Sequence, residues 1–181
     1  MKLLENDTLL LRALEPEDLD TLYRWENDTE LWHVGSTLTP YSKFTLREYL
    51  AQQQQHDIFQ TNQLRLMIIE KQSATPVGTI DLFDFDPLNG RAGIGILVDK
   101  PFRGRGLAMQ SLQLMADYAF EILHLQQIYA HAPLTNQPSL RLLQKAGYEQ
   151  SGVLKNWLKT PSGYADVAVM QRLIASPTLN M

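Results

Sequence analysis

A single α/β domain with antiparallel hairpins at its centre is the fold class this sequence predicts, and three observations carry it. Between Leu64 and Asp99, the apolar runs LRLMIIEK, VGTIDLFDF and RAGIGILVD are separated by turns too short to hold a helix. Such runs pair as neighbouring antiparallel strands. Stretches on either side carry apolar residues at helical spacing, which predicts helices that bury one face. Finally, the run ending at Val98 passes through Arg103-Gly104-Arg105-Gly106 straight into a helix-favouring segment.

Taken in order, Thr8–Leu14 (TLLLRAL) suits a first strand. Pro16, Glu17 and Asp18 then favour a helix start, and Leu19, Leu22 and Tyr23 mark its inward face over about Glu17–Asn27. Gly35 and Pro40 make Trp32–Ser42 a loop, and a second helix covers about Thr45–His56 with Leu46, Tyr49 and Leu50 inward. The three central strands follow, with turns at Ser73–Pro76 and Asp86–Gly90. A helix over about Leu107–Leu123 presents Ala108, Leu112, Met115, Ala119 and Ile122 as one stripe. QIYAHA (Gln127–Ala132) is a fifth strand, Asn136–Ala146 a further helix, and Gly147 fits its C-terminal cap. The last strands flank the turn Pro161-Ser162-Gly163, and no repeat or linker divides residues 1–181, whose core spans about 8–173.

Composition narrows the function classes. With 44% hydrophobic and 20% charged residues, the chain has the balance of a soluble globular protein. No apolar run approaches the roughly 20 residues that span a bilayer. The start, MKLLENDTLLLR, carries acids where a signal peptide needs an apolar core. Without cysteine there is no thiol nucleophile or thiolate metal site. The histidines His33, His56, His124 and His131 show no ligand spacing, so no metal is expected. A net charge of −4 argues against a nucleic-acid surface. These readings together favour a cytoplasmic protein with no membrane partner.

The strand–glycine turn–helix order around Gly104 and Gly106 suits an anion, because glycines let backbone N–H groups approach it and a helix start has unpaired donors. The dinucleotide fingerprint needs a third glycine where Met109 stands, and a nucleotide P-loop needs Gly-Lys-Ser/Thr. Neither is present. Arg103-x-x-Gly106-x-Ala108 instead resembles the pyrophosphate motif of the GNAT acetyltransferases. NQPSLRLLQKAGYEQSGVL, from Asn136, resembles the family's Asn–helix–K-x-G-[FY] segment, and LLLRALEPEDLDTLYRW its usual start. The likeness covers about Thr8–Leu173 and is nearest the branch with ribosomal-protein N-terminal and polyamine acetyltransferases.

This resemblance implies a central mixed, mostly antiparallel sheet with helices on both faces, and acetyl-CoA as cosubstrate. It implies that Ile96, Leu97 and Val98 line the pantetheine arm. Arg103, Gly104, Arg105, Gly106, Leu107, Ala108 and Met109 would form the pyrophosphate loop, with Asn136 and Lys145 contacting the far side of coenzyme A. It also places Trp32 and His33 in the acceptor-lining loop. That loop reads HVGSTLTP, without the acids polyamine enzymes tend to carry.

The chemistry sets its own demands. A primary amine has a pKa of about 10 and must attack neutral, while a thiolate of pKa ~8.5 leaves without a strong acid. The oxyanion needs N–H donors, and the amine proton needs a carboxylate or a water chain. Strand alternation puts Asp81 and Asp84 on opposite faces, Asp81 with Phe83 and Phe85. Asp81 is the favoured base and Asp84 the second candidate. Glu26 and Glu30 can hold a cationic acceptor. Two positions depart from the family: Leu143 stands where many relatives have an acid tyrosine, and Gly93 where many have glutamate. Tyr129, Ser139 and Tyr148 are replacement candidates for the acid. The resulting expectation is an N-acetyltransferase acting by direct attack of a primary amine, either a protein N-terminus or a small amine. A polyamine acetyltransferase and an acyl-CoA-binding protein with little turnover are the alternatives. Exposed sheet edges make a homodimer plausible.

Overall fold

A computed structural model describes residues 3–30, 32 and 39–174. Seven strands form one sheet: β1 (Leu9–Ala13), β2 (Leu64–Glu70), β3 (Thr75–Asp86), β4 (Arg91–Val98), β5 (Gln127–Pro133), β6 (Glu149–Thr160) and β7 (Gly163–Leu173). Their spatial order is β1-β2-β3-β4-β5-β7-β6. All neighbours are antiparallel except β4 and β5. These two are joined by helix α4 (Leu107–Glu121), the crossover that parallel neighbours require.

The helices α1 (Leu19–Glu26) and α2 (Lys43–Gln55) cover one face, where Leu22, Trp25 and Leu50 pack on Met67 and Ile69. On the other face α4 and α5 (Gln137–Lys145) bury Leu112, Met115, Ala119, Leu140 and Leu143 against Ile68, Ile80, Leu82 and Ile128. The Ser42 hydroxyl caps α2 by accepting from the Thr45 N–H at 3.0 Å. Asn136 caps α5 through Ser139 N–H at 3.2 Å, with Pro138 in its first turn.

Some local expectations are corrected. The first helix begins as a 3-10 turn at Pro16–Asp18, and Trp25 packs inward while Tyr23 is exposed. Helix α4 stops at Glu121, which leaves Ile122 half-exposed past its end. One element was missed, the single turn α3 (Ile58–Thr61), capped reciprocally by Asp57 and Gln60. One turn is too short to show a period.

Candidate active site

The site begins where β4 and β5 part. They pair only over Arg91–Gly93 with Gln127–Tyr129, because β5 then follows β7 along its whole length while β4 stays on β3 as far as Val98. The Asp99 N–H donates to Val77 O at 2.8 Å, so the odd residues of β4 turn their backbone groups toward β3. By alternation Ile94, Ile96 and Val98 turn theirs into the opening. Of the expected trio, Leu97 therefore offers the opening no backbone group; its side chain packs with Met67 and Leu50. Val98 O already accepts from Arg103 Nε at 2.8 Å.

Beyond the opening lies the glycine loop. A 3-10 turn, Lys100–Phe102, is capped by Asp99 and leads to Gly104 (φ +76°) and Gly106 (φ +75°). Left-handed backbone of this kind is easy for glycine alone. A Cβ at either position would meet nothing within 4 Å, so these glycines provide shape and an open surface, not room for a neighbour. The first bond of α4 runs from Gln110 N–H to Gly106 O at 3.2 Å. The N–H groups of Leu107, Ala108 and Met109 are therefore the unpaired donors of a helix start. They form the positive end of the helix dipole. Arg105 is not an idle cation beside them: its guanidinium pairs with Glu70 and lies over Phe102 at 5.8 Å.

Asn136 and Lys145 sit at opposite ends of α5, about 13 Å apart along its axis. Only an extended ligand can reach both. Leu143 is 5% exposed, a core residue under α5. Tyr148 is also in the core, 2% exposed, with a hydroxyl that has no partner among the described residues. Ser139 spends its N–H on Asn136.

On the α1/α2 face the two candidate aspartates are separated. Asp81 lies across from Gly95 and is 9% exposed. Its Oδ1 accepts from Arg65 Nε at 2.5 Å and from Gln63 Nε2 at 3.2 Å. Arg65 Nη1 also donates to Glu26 Oε1 at 2.7 Å, and its guanidinium covers Tyr49 at 5.5 Å. Burial pushes the Tyr49 phenol up to about 12 despite the nearby arginine. Two carboxylates flanking one cation leave this corner acidic. Replacing Arg65 with methionine should destabilise the fold by about 3 kcal/mol, because both acids lose their counter-charge. A urea midpoint shifted by a corresponding amount checks this; an unchanged midpoint overturns it.

Asp84 breaks the strand alternation. It sits in a bulge at φ +48°, between the Phe83 and Asp86 registers. Phe85 thereby crosses to the core face, 4% exposed, so the expectation that Asp81, Phe83 and Phe85 share a face fails after Phe83. Asp84 is exposed and accepts from the Tyr129 hydroxyl at 3.5 Å. Burial, and secondarily the Asp84 charge, raise the Tyr129 phenol. Tyr129 stands opposite Gly93, where the two strands part. Asp84, Asp86, Arg91, Tyr129 and His131 line a cavity of about 560 Å³ there. A second cavity of about 410 Å³ holds Glu26, Tyr41, Glu48, Tyr49 and Arg65.

Gly93 is explained by its neighbour. A Cβ there would lie 2.3 Å from Phe83 Cε2. The phenyl ring fills the space that a glutamate would need. Of the remaining candidates, Trp32 donates its indole N–H to Glu26 O at 2.9 Å, and Glu30 pairs with Lys100 at 3.2 Å. His33 lies outside the described residues.

A family profile described as acetyltransferase (GNAT) domain matches residues 8–149. The chain belongs to the GNAT acetyltransferase family. It is therefore an N-acetyltransferase that draws on acetyl-CoA. An uncharacterised N-acetyltransferase derived from the SPbeta prophage of Bacillus subtilis is 31% identical over 160 residues, 88% of this chain and 86% of its own. The spermidine N(1)-acetyltransferase of Vibrio cholerae is 27% identical over 175 residues, 97% and 98% of the two chains. A crystal structure of spermidine N-acetyltransferase from Vibrio cholerae with CoA and spermine superposes with a TM-score of 0.82 at 26% identity. It covers 93% of this chain and 96% of that one. The GNAT fold expected from the motifs, with its mixed, mostly antiparallel sheet, is thus the fold found. In this acetyltransferase Arg65 and Glu70 join the site although no motif marks them, and Phe83 gains a part beyond its place on the Asp81 face. The sequence signal for Arg65 and Glu70 is a charge within or closing a buried strand.

Proposed function

We propose that this acetyltransferase moves an acetyl group from acetyl-CoA to a primary amine that enters from the α1/α2 face. The opening between β4 and β5, running into a loop with two left-handed glycines at a helix start, is the observation that carries this reading. The residues present fit the donor. Backbone groups of Ile94, Ile96 and Val98 suit the amide-bearing arm, and the N–H groups of Leu107–Met109 suit its pyrophosphate. Bound acetyl-CoA supplies the activated acetyl thioester. The N–H groups of Ile94 and Ile96 then stabilise charge on the carbonyl oxygen. Asn136 and Lys145 take the outer part of the donor.

For the proton steps, Tyr129 and Asp84 are the pair we assign. Tyr129 is held protonated, next to where the strands part, and can donate to the departing thiolate. Asp84 is exposed and exchanges protons with solvent. Asp81, whose Oδ1 is taken by Arg65 and Gln63, has one oxygen left to serve the incoming amine through water. Tyr129→Phe and Asp84→Asn should each lower kcat by about 10²-fold with the affinity for coenzyme A unchanged. Retention of full activity in both would remove the assignment. The overall reading is tested by titration calorimetry with coenzyme A and by an amine library followed through thiol release. No binding sinks the donor assignment, and binding without turnover favours an acyl-CoA-binding protein.

Glu26 and Glu48, beside Tyr41 and Tyr49 in the 410 Å³ cavity, favour a cationic acceptor. Together with the spermidine acetyltransferases among its relatives, they make a polyamine the second reading, ahead of a protein N-terminus. Glu26 and Trp32 would border that acceptor. A function fed by acetyl-CoA fits the cytoplasm, and needs no metal, nucleic acid or membrane. The β6 edge, with Trp157 exposed, is the surface we assign to self-association. A relative from Vibrio cholerae is described as dodecameric.

A further inference from the structure

Glu70 ends β2, is 7% exposed, and pairs with Arg105, two residues before α4 begins. Both its oxygens are used: Oε1 accepts from Arg105 Nη2, and Oε2 from the Ser73 hydroxyl at 2.7 Å. Arg105 stands between Gly104 and Gly106, both left-handed. A segment with two glycines has more conformational freedom to lose than one of the same length without them, and nothing packs in the space beside either one. The Arg105 guanidinium, fixed by Glu70 and seated over Phe102, is the contact that restrains the loop from its middle. Pulling the arginine away would leave a buried carboxylate without its partner, which is strongly unfavourable. The pair therefore stays together when an anion arrives.

We propose that Glu70 is a positioning residue. It holds the donor-binding loop in its binding shape through Arg105, without touching the donor, and leaves the pyrophosphate to the backbone N–H groups and Arg103. The proposal rests on the acetyl-CoA reading above. It also predicts which part of the donor feels the loss. Glu70 acts on the pyrophosphate end alone, so a donor without pyrophosphate should be indifferent to it.

The test is Glu70→Gln, which keeps the shape and removes the charge, measured by calorimetry with coenzyme A and by kinetics with two donors. The Kd for coenzyme A should rise about fivefold to tenfold, with kcat at saturating acetyl-CoA unchanged. With S-acetylpantetheine, which lacks the pyrophosphate and nucleotide, kcat/KM should equal that of the wild type. Arg105→Gln should likewise weaken coenzyme A binding, and the double variant should bind no more weakly than the weaker-binding of the two single variants. Equal losses with both donors would mean general damage and overturn the proposal, as would unchanged or tighter coenzyme A binding. If the wild type itself fails to bind coenzyme A, the donor reading falls. Wild-type binding with an indifferent Glu70→Gln removes the positioning role alone.

Discussion

Exchange of Gly106 for valine is expected to remove coenzyme A binding and leave a folded protein. Gly106 caps α4 at φ +75°, where a residue with a Cβ loses about 1–2 kcal/mol. A domain with a stability of about 5–15 kcal/mol tolerates that loss. Nothing in the protein would collide with the new side chain, because no atom lies within 4 Å of the Cβ position. The valine methyls instead enter the open space next to the donors of Leu107, Ala108 and Met109. Affinity should fall by at least about 100-fold, the loss of two tenfold steps of about 1.4 kcal/mol each. Calorimetric titration with coenzyme A, alongside a thermal melt without ligand, separates the two effects. A small drop in Tm with no measurable binding is the expected pair of results. Unchanged affinity would show that the pyrophosphate lies elsewhere.

The parts of this molecule legible in the sequence are those set by short-range pattern. Turn residues around Ser73 and Asp86–Gly90 mark the two ends of β3, although the first turn falls at 71–74 and Thr75 and Pro76 already belong to the strand; the stripe of Leu112, Met115 and Ala119 marks the buried side of α4. The glycine spacing around Arg105 indicates an anion loop before any coordinate is known. What stayed hidden depends on partners far along the chain. That β7 lies between β5 and β6 follows from pairings about forty residues apart, such as Gln127 with Leu173, and no local signal specifies them. The Asp84 bulge is equally invisible, since an extra residue in a ladder appears only when the opposite strand is in place. It reverses the faces of the residues that follow, so Phe85 turns into the core where strict alternation would place it beside Asp81. Arg65 and Glu70 look like strand-edge charges until the network Glu26–Arg65–Asp81 and the pair Glu70–Arg105 are seen.

The second large effect is expected at Gly93, where Gly93→Glu should destabilise the protein severely and Phe83→Ala should partly restore it. The Cβ of any residue at 93 would lie 2.3 to 2.8 Å from three atoms of the Phe83 ring. Neither side yields easily. The ring packs edge-on to Tyr129 at 6.3 Å between centroids, and the backbone of Gly93 is held between Phe83 on one strand and Tyr129 on the other. Overpacking of this kind costs about 3 kcal/mol or more where neighbours cannot move. Removing the ring alone leaves a gap and costs less, because Phe83 is only half-buried. In the double variant the glutamate occupies the vacated volume, so the two changes should couple favourably by about 1–3 kcal/mol. Urea midpoints of the wild type, both single variants and the double variant give that coupling directly. A Gly93→Glu protein as stable as wild type, or a double variant no better than Gly93→Glu alone, would show that the ring is not what keeps this position a glycine. The double variant also places a carboxylate where many GNAT enzymes carry one. With Asp84 and Tyr129 handling the protons in the natural protein, adding that carboxylate should recover part of the about 10²-fold kcat loss expected of Asp84→Asn. Phe83 and Asp84 would then be a local replacement for the missing acid: one fills its space and the other, through the bulge, takes over its role.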